Sequence, residues 1–187
     1  MRSFAPLFAM AFAASAPALA TEVVPTPAFH SVQLRGGGEV TLRPGPVQRV
    51  TILEGSAQIT RFRVDGDGQL RISTCDGNCP RQYHLRVEIQ GPHAPDVAVA
   101  GGGMIHALGG FAAQRELSAA ISGGGKIDML AVLASNVNAA VNGGGLISVR
   151  AGSNLSAAVN GGGEVRYSGD PQVSSAIRGG GAVQRIH

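Results

Sequence analysis

The stretch Leu117-Ser-Ala-Ala-Ile-Ser-Gly-Gly-Gly-Lys-Ile127 returns as Val137-Asn-Ala-Ala-Val-Asn-Gly-Gly-Gly-Leu-Ile147, then as Leu155-Ser-Ala-Ala-Val-Asn-Gly-Gly-Gly-Glu-Val165 and Val173-Ser-Ser-Ala-Ile-Arg-Gly-Gly-Gly-Ala-Val183. An earlier copy centres on Gly101, so successive triplets are spaced by 22, 20, 18 and 18 residues. A period near twenty is that of a solenoid, in which each coil buries too little alone and the stack shares one core.

Within each unit the apolar period is two, which is the period of a strand. Leu117, Ala119 and Ile121, Val137, Ala139 and Val141, and Leu155, Ala157 and Val159 form an inward row. Alanine at the middle inward position predicts a narrow interior. The outward row holds Ser118, Ser122, Asn138, Asn142, Ser156 and Asn160, predicted to align as polar columns on a flat face. The turn glycines are Gly36, Gly37 and Gly38; Gly101, Gly102 and Gly103; Gly123, Gly124 and Gly125; Gly143, Gly144 and Gly145; Gly161, Gly162 and Gly163; and Gly179, Gly180 and Gly181. Lacking Cβ, they can turn the chain sharply and let neighbouring corners stack closely.

Residues 1–20 combine Arg2, an apolar run from Phe4 to Ala14 and Ala18-Leu19-Ala20, the pattern of a secretory signal peptide. Residues 21–28 read as an extended leader and 29–187 as a single domain, divided into an irregular β region at 29–92 and regular glycine-cornered coils at 93–187. In the irregular part, strands are expected at Val50 to Leu53, Ala57 to Val64, Leu70 to Ile72 and Tyr83 to Ile89, with turns at Pro44-Gly-Pro46 and Asp65-Gly-Asp-Gly68. This region is continuous with the first coil or caps it, which would shield a row of unpaired backbone groups. No later segment has the ~20 apolar residues of a membrane span.

The order Phe29-x-x-Val32-x-Leu34, Gly36 to Gly38, Val40-x-Leu42, Gly68-x-Leu70-x-Ile72, Leu85-x-Val87-x-Ile89 and Val97-x-Val99-x-Gly101, followed by serial glycine-centred repeats, resembles the auto-transporter adhesin, head GIN domain family from Phe29 to Val183. The resemblance implies a right-handed, single-stranded parallel β-helix, export from a bacterium to the periplasm or cell surface, and an adhesion role. Family members are similar in carrying an acid at the corner; here the residue after the triplet is Glu39, Met104, Lys126, Leu146, Glu164 or Ala182.

The two cysteines, Cys75 and Cys79, flank Asp76-Gly77-Asn78. In an exported protein the pair reads as a disulfide; the rivals are a metal site with His84 and His93 and a redox-active pair. The glycines do not cradle a phosphate: Lys126 is followed by Ile127 with Ala120 where a P-loop needs glycine, and His106 interrupts any dinucleotide fingerprint. No Asp recurs at the corners for calcium. Formal net charge is +3 with charged residues at 14%, but Lys126 is the single lysine and the arginines are interleaved with acids, which argues against nucleic acid. Asp128 shares its offset with His106, Ser148, Arg166 and Gln184, so no regular coil pair sets two carboxylates side by side as glycan cleavage requires. The histidines have no evident Ser or Cys partner. No cofactor is expected.

The sequence therefore reads as an exported, non-enzymatic binding module whose partner is a glycan or a cell-surface component. A polysaccharide-acting enzyme and a self-associating envelope component are the alternatives.

Overall fold

The computed structural model describes residues 21–75, 79–80 and 82–186, so the signal-peptide reading of 1–20 lies outside the described residues. These residues form an all-β structure, without a helix among them, as one 15-stranded sheet of mixed strand order.

The strands are β1 (Glu22–Val24), β2 (Ser31–Gly36), β3 (Glu39–Pro44), β4 (Arg49–Glu54), β5 (Arg61–Val64), β6 (Gln69–Ser73), β7 (Arg86–Gly91), β8 (Asp96–Gly101), β9 (Met104–Ala107), β10 (Gln114–Gly123), β11 (Lys126–Gly143), β12 (Leu146–Asn160), β13 (Glu164–Ser168), β14 (Gln172–Arg178) and β15 (Ala182–Arg185). They stack in two series. Before the glycine corner the spatial order is β5, β6, β2, β8, β10, the second half of β11, the second half of β12, and β14. After it the order is β1, β4, β7, β3, β9, the first half of β11, the first half of β12, β13 and β15. β11 and β12 belong to both series because they bend between them; register shifts at Met129/Leu133 and Ala134/Asn136 mark the bend in β11.

The register is the one the repeat dictates. Leu117 pairs with Val137, Val137 with Leu155 and Leu155 with Val173. Alternation buries every second side chain: Leu117, Ile121, Val137, Val141, Leu155 and Val159 are at most 1% exposed, and the narrow middle column of Ala119, Ala139 and Ala157 is also buried. The other series contributes Val40, Val87, Ile105, Ile127, Ile147 and Val165 to the same hydrophobic cluster. A pleated strand whose faces differ this cleanly cannot slip by one residue without moving its whole apolar row into water.

The glycine triplet divides its labour. The first glycine has positive φ, +125° at Gly123, and a Cβ there would meet the Gly101 carbonyl oxygen at 2.7 Å. The third points inward, where a Cβ on Gly125 would meet Val99 Cγ1 at 2.5 Å. The middle glycines, Gly102, Gly124, Gly144, Gly162 and Gly180, face open space, so close stacking requires the outer two of each triplet rather than all three.

Two expectations need correction. Strand β5 begins at Arg61; Ala57 to Thr60 form a turn closed by Ile59 N–H and Thr60 N–H donating to the Ser56 carbonyl. Strand β7 begins at Arg86, because Tyr83 leaves the ladder to hydrogen-bond Thr60 Oγ1 at 2.7 Å and to receive the Ser56 N–H at 2.9 Å. Val173 and Ile177 keep the inward phase but are 41% and 44% exposed, since β14 and β15 are the outermost strands among the described residues. The Gly36 corner sits inside the stack, β2 and β3 lying on β8 and β9, with β6 and β7 outside them. Beyond β6 and β7 the chain reverses, and β4 and β5 pair antiparallel to them, closing that end.

Candidate binding face

The first series presents an outer face of three columns. One runs Ser31, Asp96, Ser118, Asn138, Ser156 and Ser174; the next Gln33, Ala98, Ala120, Ala140, Ala158 and Ala176; the third Arg35, Ala100, Ser122, Asn142, Asn160 and Arg178. Identical strand phase in every repeat puts like residues about 4.8 Å apart. The middle column is alanine, so the face is a shallow trough with polar rims. Two contiguous hollows of about 230 and 250 Å³ follow it, one over Ser118, Asn138 and Ser156 and one over Ser31, Asp96 and Ser118.

The sequence-derived face residues Ser118, Ser122, Asn138, Asn142, Ser156 and Asn160 are thus brought together. Asn160 Nδ2 donates to Asn142 Oδ1 at 3.1 Å, and beyond the trough Asn154 Nδ2 donates to Asn136 Oδ1 at 2.8 Å. Each ladder amide keeps further donors and acceptors directed to solvent. Asp96 Oδ1 accepts the Ser118 N–H at 2.7 Å, fixing the rim where the 22-residue repeat departs from the shorter ones.

Cys75 and Cys79 form a disulfide with a Cα–Cα distance of 5.8 Å. The pairing excludes both thiolates from a metal site, and no group of three or more potential ligands clusters among the described residues. Asp76, Gly77 and Asn78 between them lie outside the described residues.

One arrangement was not visible in the sequence. His106 Nε2 stands 3.2 Å from Thr41 Oγ1 and its Nδ1 3.4 Å from Glu39 Oε1, with Arg86 Nε 3.5 Å from Glu39 Oε2. The partners come from β3, β7 and β9, side by side in space, although Thr41 and His106 are 65 residues apart in the chain. A hydroxyl, an imidazole and a carboxylate in this order would be the parts of a nucleophile and its base, but His106 Nδ1 is buried without a hydrogen bond and meets Glu39 only at ion-pair distance. Thr41 sits mid-strand in β3, paired on one side with Glu88 of β7 and on the other with His106 of β9. The group reads as a cross-strand polar network.

Glu164 and Arg166 form a tight ion pair on β13. Arg166 donates from Nε and Nη2 to the Glu164 carboxylate at 2.8 and 2.9 Å, and this hydrogen-bonded pairing holds the Glu164 carboxyl below its usual range. The pair is exposed on β13, away from the trough.

Residues 95–171 match the family described as "Putative auto-transporter adhesin, head GIN domain". No curated protein matches the chain. Among solved structures, a putative adhesin from Bacteroides fragilis is similar with TM-score 0.50 and 17% identity, covering 91% of this chain and 98% of that one. A putative adhesin from Parabacteroides merdae gives TM-score 0.36 at 15% identity over 90% and 96% of the two chains. A putative cell adhesion protein from Clostridium sporogenes gives 0.37 at 10% over 89% and 97%. The first of these supports the fold assignment.

Proposed function

We propose that this chain is an exported, non-enzymatic binding module of the adhesin type, built over residues 29–187 as a right-handed parallel β-helix with an irregular β region at 29–92, and presenting the serine and asparagine trough to a glycan or another cell-surface component. The head GIN match over 95–171 covers four of the six strands that build the trough, β8, β10, β11 and β12, and the disulfide is consistent with an oxidising compartment. No described helix is long and apolar enough to cross a membrane.

The observation that carries the reading is the trough itself. Ser118, Asn138 and Ser156 face Ser122, Asn142 and Asn160 across an alanine floor. Short side chains lose little rotamer freedom on contact, so an extended polar polymer would be held at modest entropic cost. The test is a glycan array and a cell-binding assay with residues 21–187 and with an Ala120→Arg, Ala140→Arg variant that fills the floor. Binding by the natural chain and its loss in the variant support the reading; no binding across the array, or binding indifferent to the filled floor, refutes it.

A second reading has its own observation. Val173 and Ile177 are exposed on an outermost strand while the opposite end is closed by antiparallel β4 and β5. Self-association through that open end would pair like with like and stop at a dimer rather than grow into a filament.

A further inference from the structure

At its closed end the trough meets a different chemistry. Register places Arg35 and Arg61 on either side of Ser73, and Arg71 between Gln33 and Arg63. With strands about 4.8 Å apart, Arg35 and Arg61 bracket Ser73 across about 10 Å, and Arg63 lies about 5 Å from Arg71. These residues and Cys75 line a hollow of about 400 Å³. Three of the four arginines are partnered: Asp65 takes Arg71 Nη2 at 2.7 Å and Arg63 Nε at 3.2 Å, Gln33 Oε1 takes Arg71 Nε at 3.1 Å, and Arg61 has a partner of its own. Arg35 is exposed, with no side-chain ion pair among the described residues.

We infer that this hollow is an anion site for a polysaccharide carrying sulfate or carboxylate groups, entered by the same polymer that lies in the trough; the inference rests on that reading and names its ligand class. Planar guanidinium groups pair bidentately with such oxyanions and do so more firmly than lysine would. Asp65 holds Arg63 and Arg71 in place, so part of the ordering is already present in the free protein. No aromatic side chain lines the hollow, which disfavours nucleic acid, whose single-stranded forms are captured by base stacking.

The experiment measures binding of residues 21–187 to heparin, polygalacturonate, neutral dextran and single-stranded DNA, at two salt concentrations, with Arg35→Gln/Arg63→Gln and Asn142→Ala/Asn160→Ala variants checked for intact melting. Expected is retention on heparin or polygalacturonate, weakened by salt, weakened at least about tenfold by the arginine variant, with dextran and DNA bound more weakly. Heparin alone would identify sulfate, polygalacturonate alone carboxylate. Equal binding of DNA, or retention unchanged in the arginine variant, overturns the inference. Dextran bound only through the asparagine residues would overturn it while leaving the trough reading intact; anionic polymer bound through the arginines but indifferent to the asparagine variant would overturn both the trough reading and the claim that one polymer occupies trough and hollow.

Discussion

The Cβ that Gly143 lacks would stand 2.5 Å from the carbonyl oxygen of Gly123, one repeat earlier and one strand below. The same approach recurs from Gly123 to Gly101, Gly161 to Gly143 and Gly179 to Gly161, so the corner of each repeat is built against the backbone of the last.

Gly143→Ala combines positive φ with a backbone collision and is expected to destabilise by at least about 2 kcal/mol. Gly144→Ala, one residue on and facing open space, should change stability by under about 1 kcal/mol. Paired urea melts decide it; equal losses would mean the middle glycine is also constrained.

Leu155→Ala empties a site at the centre of the inward column and should cost about 2–5 kcal/mol. Val173→Ala, next in the same column but 41% exposed, should cost under about 1 kcal/mol. A similar loss at both positions would show that the end of the stack is covered in solution, by a second copy or otherwise, and sedimentation would reveal which.

Reducing the disulfide should have a limited effect on folding. Its loop closes over a sequence separation of 4, for which chain entropy allows about 2 kcal/mol. Because Cys75 lines the arginine hollow, binding of anionic polymer should weaken more on reduction than the melting temperature falls.

The Glu164 carboxyl, held low by Arg166, contributes stability that is present above the ordinary carboxylate range and lost as pH falls through the lowered folded value. Arg166→Gln should therefore raise the Glu164 titration midpoint in an NMR pH series, with little effect on melting at neutral pH because the pair is exposed.

Much of this was legible in the chain because the repeat fixes spacing and phase together. Once Leu117, Val137, Leu155 and Val173 are aligned, pairing, burial and the outward serine and asparagine columns follow. Other features depend on contacts that no local pattern encodes. The insertion of β4 to β7 outside β2 and β3 is a long-range choice, and it alone brings Arg35 beside Ser73 and Arg61, residues that look scattered and charge-balanced in the sequence. Likewise Thr41 and His106 meet only because β3 lies on β9. Equivalence of the three corner glycines was a natural reading of a triplet, and only the direction of each absent Cβ distinguishes them.

The most direct test of the stacked face is a distance. Ser31 and Ser174 lie in one outward column, five strand spacings apart, through Asp96, Ser118, Asn138 and Ser156. Spin labels on Ser31→Cys and Ser174→Cys, with Cys75 and Cys79 oxidised, should give a narrow distribution centred near about 24 Å in pulsed electron–electron double resonance. A broad distribution, or one centred beyond about 40 Å, would contradict the continuous column and the binding face built on it.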